Sequence, residues 1–110
     1  PAVGGENRGS RPMELLLMGL GGCSSIDVTM MLNKSRQEVS DCKAIIEAER
    51  ADAIPAVFTS IHVHFIVTGN GLNEKHVARA VQLSAEKYCS ASIMLAKAVE
   101  ITHDYEIIEI

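Results

Sequence analysis

The chain has 110 residues, a net charge of −4 at pH 7, and a composition in which 47% of the residues are hydrophobic and 22% are charged. This composition is typical of a globular protein, and the length suits one domain over residues 1–110 with a single hydrophobic core. Because the chain is acidic and has no cluster of Lys and Arg, neither nucleic acid nor a membrane surface is expected as a partner.

The first predicted element is a helix from about Pro12 to Asn33. Pro12 suits the first turn of a helix, and the negative charge of Glu14 is favourable in that turn. The helix is apolar on almost all sides, so we expect it to lie buried at the centre of a homodimer. Its longest apolar stretch, Leu15–Cys23, is too short to span a bilayer, and no secretory signal precedes it.

Three glycines lie close together in this helix. Gly19, Gly21 and Gly22 each cost about 1 kcal/mol of helix propensity relative to Ala, which indicates a packing reason for their presence. They predict a flat surface against which another backbone lies. Replacing Gly21 or Gly22 by Leu is therefore expected to damage folding or assembly.

The elements that follow predict an α+β domain with an antiparallel sheet, because their order is not a repeated βαβ unit. In the second strand, Ile61, Val63, Phe65 and Val67 are expected on the buried face, with His62 and His64 on the other. The predicted elements are a strand over Asp41–Arg50, a strand over Thr59–Thr68, a helix capped by Asn73, a short helix from Cys89 or Ser90 to about Ala98, and a strand over Glu100–Ile110.

The three cysteines are spaced too widely for a disulfide framework or a Cys-x-x-Cys metal site, which favours reduced thiols in a cytoplasmic protein. By position alone, Cys23 and Cys42 are inert packing residues in an apolar helix and on a buried strand face. Cys89 starts a helix, whose N-terminus can lower the pKa of a thiol. Asp27, four residues after Cys23, opposes a thiolate there if the two side chains are close.

Other polar side chains suggest no separate active site. His62 and His64 could be two metal ligands, but the spacing places no third ligand beside them, and a solvated or partner-facing strand is the preferred interpretation. Ser24 and Ser25 lack a His and Asp arrangement that would indicate hydrolysis. The methionines predict core filling, with an apolar pocket as the alternative.

Two segments carry a resemblance to a known family. Residues 12–25 (PMELLLMGLGGCSS) resemble the cysteine helix of the OsmC/Ohr family, and residues 86–90 (EKYCS) resemble its second cysteine segment. The similarity spans nearly the whole chain and is closest to the YhfA-like branch. It implies an OsmC-like fold, an intertwined homodimer with the cysteine helices at its centre, and family N-terminal strands that precede residue 1.

The resemblance also implies a chemistry. In the best understood branches the residue matching Cys23 attacks an organic hydroperoxide, and the residue matching Cys89 resolves the product. Those branches have a catalytic Glu directly after the Pro, whereas here Glu14 comes one position later, about 100° round the helix. Their catalytic Arg lies on an upstream strand, and no motif matches Arg8 or Arg11 to it.

The sequence thus favours a thiol peroxidase (hydroperoxide reductase) of oxidative stress defence, with Cys23 and Cys89 as catalytic residues and Glu14 in a possible supporting role. No metal or organic cofactor is required, and a cellular dithiol would reduce the disulfide. The alternative is a non-catalytic dimer that holds a small apolar molecule in a Met-lined, cysteine-containing cleft.

Overall fold

The computed structural model describes residues 12–110. The α+β class and all the predicted elements are confirmed, but the first two strands are longer than predicted, and the short last helix and the last strand end earlier. In chain order the elements are helix α1 (Pro12–Lys34), strand β1 (Glu38–Arg50), strand β2 (Phe58–Asn70), helix α2 (Glu74–Leu83), a π-helical turn (Ser84–Tyr88), helix α3 (Ser90–Leu95) and strand β3 (Glu100–Glu109).

The sheet is mixed, which corrects the predicted antiparallel sheet. β2 is the middle strand, with β1 antiparallel to it and β3 parallel to it. Phe65 of β2 lies opposite Ala44 on one side and Tyr105 on the other. The physical reason is that α2, the π-helical turn and α3 form a crossover, which returns the chain to the end of the sheet where β2 began.

The hydrophobic core lies between one face of the sheet and the helices. The predicted buried face of β2 is confirmed, since the apolar residues of β2 alternate with the half-exposed His62 and His64. Complete burial of one such apolar side chain contributes about 1.5–3 kcal/mol to the stability of the fold. The core comprises Ile61, Val63, Phe65 and Val67 of β2, Leu20, Val28 and Leu32 of α1, and Val77, Ala80 and Val81 of α2.

Among residues 12–110, helix α1 is buried on one side only. Its buried residues recur every three or four positions and face β1 and the other helices. The opposite side exposes large apolar side chains, namely Leu15, Leu16, Met18, Ile26 and Met30. Residues 12–110 leave this side of the helix exposed, and its burial in a homodimer stays a prediction.

By length and mean hydropathy, α1 would qualify as a membrane span, with 23 residues and a value of 1.6. The sequence predicts that the apolar stretch Leu15–Cys23 is too short to span a bilayer. The whole helix passes the length criterion because it continues as an apolar segment past Asp27. The core helix of a globular domain passes the same test. Its packing against β1 favours that interpretation.

The glycines of α1 have different environments. A Cβ atom added to Gly21 would lie 2.9 Å from Ile46 Cδ1 and 3.6 Å from Ala44 Cβ, so the helix approaches β1 closely there. A Cβ atom added to Gly19 or Gly22 would meet no atom within 4 Å in residues 12–110. Close packing within the described residues is thus present at Gly21, and packing of Gly22 against another chain stays a prediction.

Candidate functional site

The fold brings Cys23 and Cys89 together. Cys23 lies near the middle of α1, and Cys89 joins the π-helical turn to α3. Their sulfur atoms are within 4.8 Å of each other, and both residues are free thiols. The pair that the family resemblance named is therefore one local site, and the catalytic roles of its members stay predictions.

The π-helical turn determines where the Cys89 side chain lies. At its end the backbone of Cys89 becomes extended, and the residue caps α3, with its Sγ accepting a hydrogen bond from the N–H of Ser92 at 3.4 Å. On the other side Ser24 Oγ of α1 lies 3.3 Å from Cys89 Sγ. Ser84 Oγ donates to the carbonyl oxygen of Ser24 at 3.4 Å, which holds the turn against α1.

The two thiols differ in exposure. Cys89 is 0% exposed, whereas Cys23 is half-buried. Burial raises the pKa of Cys89, a hydrogen bond with the Cys23 sulfur raises it further, and the hydrogen bonds with Ser24 and Ser92 only partly offset these effects. The suggestion that a helix N-terminus gives Cys89 a lowered pKa is thus wrong, because α3 has only six residues and the thiol is buried.

Asp27 is a third member of the site. One of its carboxylate oxygens lies within 4.8 Å of both sulfur atoms. Its Oδ2 atom is buried and has no hydrogen-bond partner in the described part of the chain, and burial raises the pKa of the carboxyl group. From its spacing along the helix, Asp27 is expected to oppose a thiolate at Cys23 if the two side chains are close. The nearness to Cys89 had no signal in the sequence.

The other predicted site residue, Glu14, lies apart from this cluster. It is exposed in the first turn of α1. From Cys23 it is about 13 Å away along the helix axis and about 180° round it, so the two side chains of one chain do not meet. Its supporting role stays a prediction. Arg8 and Arg11 lie outside the described residues.

Cys42 is separate from the pair. It is half-buried on β1, where it packs against the core, and burial raises the pKa of its thiol to about 11. A thiol that stays protonated at neutral pH is a poor nucleophile. The structure therefore agrees with the packing role predicted for Cys42.

A cleft of about 390 Å³ opens beside the site. Asp27 forms the end nearest the cysteines, and Lys34 and Arg79 supply positive charge. A pocket was the alternative to core filling for the methionines, and Met30 and Met31 line this cleft, but neither cysteine does. Its apolar lining consists of Met30, Met31, Ala80, Leu83 and Tyr88.

A second polar cluster lies on the outer face of the sheet, which corrects the expectation that no carboxylate accompanies the two histidines. Asp104 Oδ1 lies 2.9 Å from His62 Nε2 and 2.6 Å from His64 Nδ1. Glu106 Oε1 lies 3.0 Å from His64 Nε2. The parallel register of β2 and β3 places these side chains together.

Comparison with known proteins gives consistent results. The family model described as OsmC-like protein matches residues 5–104. Protein YhfA of Escherichia coli K12 is 57% identical over 97 residues, which are 88% of this chain and 72% of YhfA. The structure of a hypothetical protein from Aquifex aeolicus VF5 is similar with a TM-score of 0.86 at 36% identity, covering 92% of this chain and 76% of that chain.

A more distant solved structure shares the fold. It is an organic hydroperoxide resistance protein OsmC from Legionella pneumophila, with a TM-score of 0.70 at 18% identity. The similarity covers 97% of this chain and 74% of that chain.

Proposed function

The chain belongs to the OsmC-like protein family, and from that premise we propose that it is a thiol-dependent redox protein that reduces organic hydroperoxides. Cys23 is the attacking residue and Cys89 is the resolving residue. The name of the Legionella pneumophila protein with this fold, an organic hydroperoxide resistance protein, supports the substrate class.

The observation that carries the proposal is a pair of free thiols with unequal exposure. The sulfur atoms lie within 4.8 Å of each other, and a disulfide would bring them to about 2.05 Å. Cys23 is the more accessible of the two and can meet a substrate, whereas Cys89 is buried behind it. The raised pKa of Cys89 keeps that residue a thiol, and its S–H is available to the Cys23 sulfur.

The proposed reaction has three steps. The Cys23 thiolate attacks the terminal oxygen of the hydroperoxide, the O–O bond breaks, and the alkoxide leaves as the alcohol after it takes a proton. The Cys89 thiol then displaces hydroxide from the sulfenic acid on Cys23, which forms a disulfide and one water. A cellular dithiol reduces the disulfide by thiol–disulfide exchange and is itself oxidised.

The test is a stopped-flow assay of the reduced protein with cumene hydroperoxide. We expect the loss of two thiols for each cumyl alcohol formed, at a rate well above that of free cysteine. The Cys42→Ser variant is the matched control, because it removes a thiol outside the pair and should react like the parent. Consumption as slow as that by free cysteine would contradict the proposal.

The cleft beside Asp27 favours a second candidate, a non-catalytic dimer that binds a small apolar molecule. Its lining by Met30, Met31 and Leu83 suits a flexible apolar ligand. A Met31→Lys variant should weaken binding of a fluorescent apolar probe under this alternative. Peroxide consumption by that variant at the parental rate would show that the two properties are independent.

A further inference from the structure

Two sulfur atoms and one oxygen atom that could bind a metal ion lie close together. They belong to Cys23, Cys89 and Asp27. One ligand atom of each side chain lies within 4.8 Å of the other two. Cys23 and Asp27 are one turn apart on α1, and Cys89 comes from the far end of the crossover. Two thiolates with a carboxylate are a ligand set for zinc and similar borderline-soft cations.

The spacing of these atoms suits such an ion. With Zn–S bonds of about 2.3 Å and Zn–O bonds of about 2.0–2.2 Å, tetrahedral geometry places two sulfur ligands about 3.8 Å apart. The upper limit of 4.8 Å between the present ligand atoms is about 1 Å longer. Binding of the ion would therefore need the ligand atoms to move together by at most about 1 Å.

The charge of the cluster also points to a cation. Asp27 Oδ2 is buried and has no hydrogen-bond partner in residues 12–110, and a buried carboxylate oxygen needs one. Lys34 and Arg79 line the same cleft as Asp27, but neither donates a hydrogen bond to its Oδ2 atom. A cation bound at this point would satisfy that oxygen.

Two hydrogen-bonding groups surround the buried sulfur ligand, Cys89. Ser24 Oγ at 3.3 Å and the N–H of Ser92 at 3.4 Å both lie within hydrogen-bond distance of Cys89 Sγ. Such second-layer contacts orient a metal ligand and stabilise its anionic form. The cleft of about 390 Å³ reaches Asp27 and provides a path for the ion.

We propose that Cys23, Cys89 and Asp27 together bind one Zn²⁺, or a cation of similar softness, when the two cysteines are reduced. Each thiol releases one proton as its sulfur binds the metal, and a water molecule completes the fourth position. The inference concerns the sulfur pair of the proposed function, but it does not require hydroperoxide reduction. A bound ion would occupy the Cys23 sulfur and so reversibly block any attack by that thiolate.

The first experiment uses the parent protein with Co²⁺ and Zn²⁺ under reducing conditions and without peroxide. We expect one Co²⁺ per chain with a thiolate-to-cobalt charge-transfer band in the near ultraviolet, which Zn²⁺ abolishes by displacement. This measurement needs no substitution. Co²⁺ binding without that band would overturn the proposal, since it would exclude sulfur ligands.

The second experiment compares Zn²⁺ affinities by competition with a colorimetric chelator. Cys23→Ser, Cys89→Ser and Asp27→Asn should each weaken binding at least about tenfold. Cys42→Ser should bind like the parent, because Cys42 is outside the cluster. Parental affinity in Asp27→Asn would contradict the three-residue site.

The third comparison separates this site from the histidines on the outer face of the sheet. His64→Gln removes the residue that contacts both Asp104 and Glu106. We expect it to retain the parental Zn²⁺ affinity, and a loss of binding would assign the ion to the sheet and overturn the proposal. Because no peroxide is present, an inactive peroxidase that binds Zn²⁺ would contradict only the proposed function.

Discussion

Cys23 and Cys89 have different environments, which suit their different proposed roles as attacking and resolving thiols. A resolving thiol should stay protonated until the sulfenic acid forms, and the burial of Cys89 has this effect. An attacking thiol needs access to the substrate, which the half-buried Cys23 has. Ser24 contacts Cys89 from α1 and thereby fixes the sulfur beside its partner.

Substitution of single cysteines should therefore give different products with cumene hydroperoxide. After one equivalent, the parent should lose two hydrogens as it forms the disulfide, and Cys23→Ser should show neither change nor turnover. Cys89→Ser should gain one oxygen as a sulfenic acid on Cys23. Intact-mass measurement with sulfenic-acid trapping separates these outcomes.

The control for this series is Cys42→Ser, which should form the Cys23–Cys89 disulfide and show only a modest loss of stability. If Cys42→Ser fails to form the disulfide while Cys89→Ser still forms one, the resolving residue is Cys42. That result would contradict the assignment.

The histidine cluster on the outer face predicts a pH dependence of stability. Hydrogen bonds with Glu106 and then Asp104 raise the pKa of His64, and the one with His64 is the main cause of the lowered pKa of Asp104. The raised pKa of His64 stabilises the fold below its ordinary value of about 6.5, and this contribution is lost as the pH rises through the raised value. The contribution of Asp104 is lost as the pH falls through its lowered value.

We therefore expect the Tm to fall as the pH rises above about 6.5. The decrease in Tm over this pH range should be smaller in His64→Gln than in the parent. His76→Gln is the control, because the His76 ring has no side-chain hydrogen bond within the described part of the chain. Thermal denaturation between about pH 4 and 9 measures the effect. The same slope in His64→Gln and the parent would contradict it.

At the level of secondary structure, helix α1 has two faces with different surroundings. Gly21 lies on the face against β1, where Ile46 is the nearest side chain. Gly22 lies on the outer face, with open space beyond it in the described chain. The two adjacent glycines therefore test different contacts.

Gly21→Leu should destabilise the chain by about 1–3 kcal/mol, because the larger side chain collides with Ile46 at the α1–β1 contact. Urea denaturation measures this loss. Gly22→Leu should retain the fold of the single chain, with a gain of up to about 1 kcal/mol in helix propensity. Its expected damage is to assembly, seen by sedimentation as a larger monomer fraction.

Equal stability of Gly21→Leu and the parent would contradict the close contact with β1. A Gly22→Leu protein that assembles like the parent would show that the outer face of α1 near this residue is not an interface.

The shape of the whole molecule depends on what covers the outer face of α1. A small domain has little stability in reserve, and several large apolar side chains remain exposed there, including Ile26 at 62% and Met18 at 60%. The family resemblance implies a second copy of the chain as the cover. The exposed residues lie along the same helix as Cys23, so assembly would also shield the thiol site.

We expect the parent to sediment as a dimer at sub-micromolar concentration and Ile26→Glu to sediment as a folded monomer, because a charge there faces an apolar partner. Ile54→Glu is the matched control. Ile54 is 100% exposed in the β1–β2 loop, so its substitution should leave the dimer intact. A folded parental monomer, or dimers of Ile26→Glu, would contradict this interface.

Local patterns in the sequence were enough to predict the elements and the buried face of β2. Alternation in β2 and the cap at Asn73 depend on neighbouring residues, and the structure confirms both, with Asn73 accepting from the Lys75 N–H at 2.9 Å. The resemblance of two short segments identified the family and singled out Cys23 and Cys89. Each of these signals spans only a few neighbouring residues.

Features that depend on contacts between distant segments required the tertiary structure. The parallel direction of β3 follows from how the crossover packs, and it alone brings Asp104 to His62 and His64. The burial that raises the pKa of Cys89, and its nearness to Asp27, arise where the π-helical turn meets α1. Spacing along a chain carries no information about such distances, because they depend on how several elements pack together at once.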